Sequence, residues 1–385
     1  MPTIDAIAPR RAAPAAVATA ARHVPILDGL RAIAVLLVLW CHVPPTMPGY
    51  PSWLGFAHWL VGPGGLGVEI FFVLSGFLIT RILLAERARA APVRWFLLRR
   101  MLRIFPIYYL LLLLMLPFRP VAELGACAVY LANLRSIVGT MAGPLEHTWS
   151  LCVEEHFYLL WPLVVAFAPS LRLARGVLVW FVLPAAVFGA IAVGHLVADE
   201  RTALTAVAHG SPFRFLSLGA GCLVAFAEPR LIAAPQRLLG LGLTLVGFAL
   251  AIHPHFLLLL GPMWAGNGEW VARTWAPAIG LVHSAALGTG ILLLALHAPT
   301  TRWSPLRALC WRPLRAIGRI SYALYLYHLP IYFAVLGDRP NGGAVVLALA
   351  LTFAAATLSW FALERPIQRF GDRFRSIPVV RPTPT

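Results

Sequence analysis

The chain has 385 residues, of which 60% are hydrophobic and 12% charged, and its mean hydropathy is +0.79. A soluble protein of this length needs far more polar side chains on its surface, so the composition excludes a soluble globular protein and indicates a polytopic membrane protein. The formal net charge is +16, and arginine supplies all of the excess because the sequence contains no lysine. The five cysteines are scattered, without metal-ligand spacing, so neither a disulfide framework nor a metal site is predicted.

Three regions are predicted along the chain. Residues 1–25 are rich in Ala, Pro and Arg and are predicted to form a disordered, basic cytoplasmic tail. Residues 26–370 form the membrane domain, and residues 371–385 form a second cytoplasmic tail. Within the membrane domain, ten apolar segments are predicted to cross the bilayer: 27–44, 65–85, 102–118, 149–168, 177–197, 211–227, 237–257, 274–297, 314–336 and 343–364.

The distribution of arginine decides how many segments cross. Residues 121–138 are apolar but short, and they contain Asn133 and Arg135. If they do not cross and the amino terminus is cytoplasmic, the inner loops contain most of the arginines, as the positive-inside rule requires. We therefore predict an all-α bundle of about ten transmembrane helices with both termini cytoplasmic, in which residues 119–148 are external or re-entrant. Because the arginines are distributed loop by loop, no nucleic-acid partner is predicted.

The first predicted span carries Arg31 near its start and His42 at its end. Eleven positions are close to three full helical turns, so both side chains project from nearly the same face, about 16 Å apart along the axis. A histidine can accept and return a proton near neutrality. Two interpretations stay open at this point: a functional pair, or an ordinary cytoplasmic flank and an ordinary interfacial residue.

Arg99, Arg100 and Arg103 open the third predicted span from the cytoplasmic side. Guanidinium groups bind phosphates in bidentate fashion, so the cluster is a candidate site for a soluble phosphate-bearing ligand. The same cluster is also typical of a topogenic signal and of a site for anionic membrane lipid.

Glu154 and Glu155 lie near the start of an otherwise apolar span, after Trp149 and Ser150. Two adjacent carboxylates there are hard to explain by packing. They form either an external helix cap, which the helix dipole favours, or a site that orients or charges a histidine.

A polar stripe marks the ninth predicted span. Ser321, Tyr325, His328 and Tyr332 recur at i, i+4, i+7 and i+11, which places them on one helix face. Such a stripe faces the bundle interior or a cavity. An aromatic belt is the alternative for Tyr332.

Taken together, these residues resemble the acyltransferase type 3 family of integral-membrane O-acyltransferases. The resemblance covers residues 25–370 and rests on several motifs in the expected order. They are Leu27-Asp28-Gly29-Leu30-Arg31 followed by His42, the run from Gly67 to Thr80, Arg99-Arg100-x-x-Arg103, Thr148-Trp149-Ser150-Leu151 with Glu154-Glu155, Ile320-Ser321-Tyr322-x-x-Tyr325-Leu326-x-His328, and Glu364-Arg365-Pro366.

The resemblance implies an O-acyltransferase of the bacterial plasma (inner) membrane that uses cytoplasmic acetyl-CoA or another acyl-CoA, without a metal. The acceptor is expected to carry carbohydrate: a surface glycan, a lipid-linked sugar or a glycosylated small molecule. His42 would be the catalytic histidine and proton carrier, with Arg31, Glu154 and Glu155 in the catalytic group. Arg99, Arg100 and Arg103 would bind the donor, and the substrate or channel lining would comprise Trp149, Ser150, Ser321, Tyr322, Tyr325 and His328.

Two positions depart from the family pattern: Cys152 and His156. Because His156 is close to the carboxylates, it competes with His42 for the role of proton carrier. Some members carry a fused extracytoplasmic esterase-like domain; we expect none here, and whether a separate protein partner is needed stays open. The alternative function is a proton-coupled transporter or flippase of a glycan or lipid precursor, which also requires His, Glu and Arg inside the membrane.

Overall fold

The computed structural model describes residues 24–61, 65–141, 143–253, 268–301, 304–337 and 340–374. Of the two predicted tails, only residues 24–25 and 371–374 belong to the described part, so the remainder of each tail lies outside it. The described part is helical and contains no strand. Its helices are α1 Pro25–Cys41, α2 Ser52–Val61, α3 Gly65–Ala88, α4 Val93–Met115, α5 Val121–Ala128, α6 Ala132–Ile137, α7 Thr148–Phe167, α8 Leu171–Leu196, α9 Glu200–His209, α10 Ser211–Ile232, α11 Pro235–Ala251, α12 Gly268–His297, α13 Arg312–Arg319, α14 Ser321–Leu336 and α15 Gly342–Phe374.

A helix lies over each of the ten predicted ranges, although residues 254–257 of the seventh range are outside the described part. Six helices, α3, α7, α8, α10, α12 and α15, are long and apolar enough to cross a bilayer. The helices α11 and α14 are apolar but shorter, and α1 has 17 residues. The prediction of an all-α membrane protein is confirmed, whereas ten crossings and two cytoplasmic termini stay predictions.

The ninth predicted range, 314–336, does not form one continuous helix. The chain breaks at Ile320 (φ −92°, ψ 7°), which separates the basic helix α13 from the apolar helix α14. Gly318, just before the break, packs against the backbone of Asp28 in α1, and a Cβ atom there would lie 2.7 Å from the Asp28 carbonyl carbon. This close approach fixes α13 against α1, and the chain must turn before α14 can enter the bundle.

Residues 121–138 form the two short helices α5 and α6, joined through Tyr130 with a φ of 57°. With eight and six residues, they are about 12 Å and 9 Å long, too short to cross the hydrocarbon core. Their length agrees with a segment that does not span.

The helix α3 lies at the centre of the bundle and contacts α1, α7, α10 and α12. Its closest neighbour is α10, which approaches at Gly76 of α3 and Gly221 of α10. A Cβ atom on Gly76 would lie 2.7 Å from the Leu218 carbonyl carbon, and one on Gly221 would lie 2.9 Å from the Phe77 amide nitrogen. Small residues at helix contacts in membranes allow such backbone approach, and here they bring the backbones of α3 and α10 into direct contact.

Candidate active site

A cavity of about 550 Å³ lies inside the bundle, bounded by α1, α3, α4, α7, α13, α14 and α15. Along α3 its lining extends from Val68 to Ile82, about 21 Å at the rise of an α-helix. The polar and charged side chains that line it are Asp28, Arg31, Ser75, Arg81, Arg100, Arg103, Ser150, Glu154, Glu155, Arg319, Ser321, Tyr322, Tyr325 and Gln368. The structure therefore brings together most of the predicted site residues.

Three predicted arginines line the cavity: Arg31, Arg100 and Arg103. Arg100 and Arg103 are three positions apart on α4 and share a face. The Arg100 guanidinium lies 3.7 Å from the centroid of the Tyr158 ring, a close cation–π contact. The Nε atoms of Arg31 and Arg100 are buried and have no hydrogen-bond partner within the described residues. Buried donors of this kind are expected to find a partner, so they indicate a site for an anionic ligand.

Arg99 points elsewhere. It forms an ion pair with Glu86 and donates a hydrogen bond of 2.7 Å to the carbonyl oxygen of Phe374. It is not among the residues that line the cavity. The reason is helical geometry, because a step of one residue turns the side chain by about 100°.

The two carboxylates of α7 face the cavity. Ser150, Leu151, Glu154 and Glu155 all contribute to the lining, as expected for positions i, i+1, i+4 and i+5 of one helix. Ser75 of α3 donates a hydrogen bond of 2.7 Å to Glu154. His156, the next residue, lies on another side and pairs with Ser211 at 2.7 Å. The structure thus places His156 against α10 and does not bring it to His42.

The first turns of α14 also face the cavity, whereas His328 and Tyr332, which complete its polar stripe, do not line it. Ser321, Tyr322 and Tyr325 line it. The Tyr322 hydroxyl donates to the carbonyl of Ile104 at 3.1 Å, and the Tyr325 hydroxyl pairs with Ser150 and donates to the carbonyl of His147 at 2.8 Å. The Ser321 hydroxyl is buried without a partner within the described residues. Two hydrogen-bonded tyrosines therefore hold the wall of the cavity against α4 and α7.

Three histidines form a cluster beyond Tyr325. The Nδ1 atom of His42 and the Nε2 atom of His328 are 3.3 Å apart, and their ring centroids are separated by 4.9 Å. The ring of His147 lies 5.0 Å from that of His328 and 5.4 Å from that of Tyr325. His42 itself does not line the cavity, and Tyr325 lies between the cavity and the cluster, with its ring 5.6 Å from that of His328.

Another predicted residue lies away from the cavity, and three residues near the site were not predicted. Trp149 does not line the cavity, because its ring stacks on His209 at 4.2 Å. His147 was absent from the predicted site; its only sequence signal is a histidine directly before the helix that carries the carboxylates. Ser75 and Arg81 were also missed, although a charged residue inside an apolar segment is a signal of function. Arg81 forms an ion pair of 2.7 Å with Glu228.

No cluster of three or more His, Cys, Asp or Glu side chains suited to a metal ion was found among the described residues. A reaction without a metal stays a prediction.

An apolar helical bundle surrounds a cavity with guanidinium groups, carboxylates and hydroxyls, next to a cluster of three histidines. This arrangement defines a multi-pass membrane protein with an internal polar site. A family model described as "Acyltransferase domain" (Acyl_transf_3) matches residues 24–364. The chain therefore belongs to this acyltransferase family, and the resemblance drawn from its motifs is confirmed.

Three relatives illustrate the similarity. The chain is 28% identical to "O-acetyltransferase OatA" of Staphylococcus aureus (strain NCTC 8325 / PS 47), over 91% of this chain and 58% of the relative. It is 30% identical to "Peptidoglycan O-acetyltransferase OatA" of Listeria monocytogenes, over 91% and 56%. It is 28% identical to "Putative peptidoglycan O-acetyltransferase YrhL" of Bacillus subtilis, again over 91% and 56%. The chain thus spans a little over half the length of these relatives. No solved structure matches it.

Proposed function

We propose that the protein is a membrane O-acyltransferase of the bacterial plasma membrane that moves an acyl group, most simply acetyl, from cytoplasmic acyl-CoA to a hydroxyl of a cell-envelope carbohydrate. The observation that carries the proposal is one cavity with guanidinium groups along its wall and a histidine cluster beyond its far end. The names of the relatives, which describe O-acetyltransferases and in two cases peptidoglycan, support an acetyl group and a glycan acceptor.

The donor would enter among the arginines. Acyl-CoA is polyanionic, and its phosphates suit the planar forks of Arg31, Arg100 and Arg103. The two buried Nε atoms without partners would gain them from phosphate oxygens. Glu154 and Glu155 offset the arginine charges when the site is empty, and they can accept hydrogen bonds from the amide groups of the pantetheine arm. The arm would lie along α3 with its thioester toward Tyr325.

The transfer needs one base. His42 would accept the proton of the acceptor hydroxyl, whose oxygen attacks the thioester carbon. The new C–O bond forms as the C–S bond breaks, and the proton on His42 passes to the departing thiolate to give free CoA. Among the described residues, the hydrogen-bonding neighbours of the three histidines are backbone carbonyls, one another and, for His42, the Cys41 thiol. We therefore assign the carboxylates to the donor cavity and not to the orientation of His42.

A transporter or flippase is the rival function, and membership of the acyltransferase family does not favour it. The two differ in a simple product. An acyltransferase releases free CoA from acetyl-CoA in proportion to the acceptor consumed, and a transporter leaves the thioester intact.

The test uses the purified full chain in liposomes with acetyl-CoA and glycan strands of peptidoglycan. Free thiol is followed with time, and acetylated glycan is detected by mass spectrometry. We expect thiol release that depends on the acceptor, and its loss in His42→Ala. His195→Ala, which alters an exposed histidine of α8, is the matched control and should retain activity. Wild-type turnover in His42→Ala would refute the role of His42, and intact acetyl-CoA with every glycan tried would refute acyl transfer.

A further inference from the structure

We propose that His328 is a positioning residue that holds His42 in the tautomer whose Nε2 atom takes the acceptor proton. His328 does so by accepting a hydrogen bond from the Nδ1–H group of His42. The inference rests on the proposed function, because it assigns a nitrogen atom and a partner to the base of that same site.

The first step is the tautomer of His42. Its Nδ1 atom lies 2.8 Å from the carbonyl oxygen of Val38, one turn earlier in α1. A carbonyl oxygen can only accept a hydrogen bond, so Nδ1 must carry the proton. In a neutral imidazole the other nitrogen then has the free lone pair. The backbone of α1 therefore leaves Nε2 as the basic atom of His42.

The second step is the tautomer of His328. Its Nδ1 atom lies 2.6 Å from the carbonyl oxygen of Tyr325 and must also carry a proton. Its Nε2 atom is then an acceptor, and it lies 3.3 Å from Nδ1 of His42. The single Nδ1–H group of His42 is thus shared between the Val38 carbonyl and His328. Two independent backbone carbonyls, on α1 and on α14, give the pair matching donor and acceptor atoms.

The third step explains why the pair holds its geometry. His147 donates through Nε2 to the carbonyl of Leu326 at 3.1 Å, and its ring packs at 5.0 Å on His328. One turn beyond His328, the hydroxyl of Tyr332 donates to the carbonyl of Leu39 at 3.2 Å, which ties α14 to α1. His328 is itself fully buried, so its ring has little freedom to turn away from His42.

The arrangement matters when His42 takes up the proton. The Nδ1–H group of the imidazolium is a charged donor, and a hydrogen bond from a charged donor is stronger than one from a neutral donor. His328 stabilises that cation and fixes the ring, as the acid does in a Ser-His-Asp triad, but it brings no negative charge. It neither gains nor loses a proton, because the transferred proton stays on Nε2 of His42 until the thiolate takes it.

The test compares three replacements of His328 in the liposome assay. In His328→Gln the side-chain oxygen can reach the position of Nε2 and accept the same hydrogen bond, whereas the shorter side chain of His328→Asn cannot; His328→Ala removes the group. We expect His328→Ala and His328→Asn to lower kcat by roughly 10- to 150-fold, the worth of one charge-assisted hydrogen bond. The KM for acetyl-CoA should be unchanged, and His328→Gln should recover most of the lost kcat.

Tyr327→Phe is the control, because it removes a buried hydroxyl from the same helix on the side that pairs with Ser359, and it should keep wild-type rates. Equal losses in His328→Gln and His328→Asn, or losses confined to KM, would overturn the inference. If His328→Ala does not fold, as judged by size-exclusion chromatography, the kcat values of His328→Gln and His328→Asn still test the inference. Wild-type activity in His42→Ala would instead refute the role of His42 as the base, and intact acetyl-CoA in the wild-type assay would refute the proposed function on which the inference rests.

Discussion

Substitution of Gly76 by alanine tests the helix contact that places the cavity. Gly76 lies where α3 crosses α10, next to Ser75, which donates its hydrogen bond to Glu154. A Cβ atom added there would lie 2.7 Å from the carbonyl carbon of Leu218 and closer still to its oxygen. Carbon atoms in favourable contact are about 3.5–4.0 Å apart, so the two helices must separate by about 1 Å. Neither helix backbone can rotate aside as a side chain could.

The loss of stability in Gly76→Ala can be estimated from two opposing contributions. Overpacking typically destabilises by about 1–3 kcal/mol, and a clash with backbone falls at the upper end of that range. The higher helix propensity of alanine offsets up to about 1 kcal/mol. A net loss of about 2 kcal/mol should lower the apparent Tm by roughly 2–4 °C in a chain of this size. Because Ser75 moves with the α3 backbone, we also expect a lower kcat.

The assay is thermal unfolding in detergent, followed by tryptophan fluorescence at one heating rate, because unfolding of a large membrane protein is not assumed to be reversible. Gly247→Ala is the matched control: Gly247 lies in α11, is exposed, and a Cβ atom there would meet nothing within 4 Å. We expect its apparent Tm to equal or exceed that of the wild type. The packing argument is wrong if Gly76→Ala and Gly247→Ala have the same apparent Tm.

Two further predictions concern charge. Arg100→Gln should raise the KM for acetyl-CoA by roughly 10- to 150-fold with a smaller change in kcat, because one charge-assisted phosphate contact is lost. The control Arg94→Gln, at an exposed position of the same helix, should leave the KM unchanged. Equal KM values in the two variants would exclude Arg100 from donor binding. Glu69→Gln should destabilise the protein by about 3–5 kcal/mol, because the neutral amide leaves the guanidinium of Arg214 without the negative charge of its buried partner. The Ser217 hydroxyl also donates to Glu69, so methionine at both charged positions combined with Ser217→Ala should recover stability in the same melting assay. A triple variant no more stable than Glu69→Gln would contradict that reasoning.

The helix positions and the membrane class followed from the sequence because both are local properties. A segment that crosses lipid must satisfy its backbone hydrogen bonds internally, so long apolar runs become helices whatever their neighbours are. The break at Ile320 was not predicted, because it depends on the contact of Gly318 with the backbone of Asp28, a residue far away in the chain. The polar stripe of α14 was predicted to face the interior, and Ser321 and Tyr325 do line the cavity.

By itself, the sequence of this protein determined its family, its helical membrane character and the residue types at its site, because apolar runs and motif spacings are written along the chain. Only the tertiary structure decided which of those residues meet. It directs Arg100 into the cavity and Arg99 to Glu86, and it pairs His328 with His42. Helix rotation and close approach set these choices, and both depend on contacts between segments that the linear pattern does not encode.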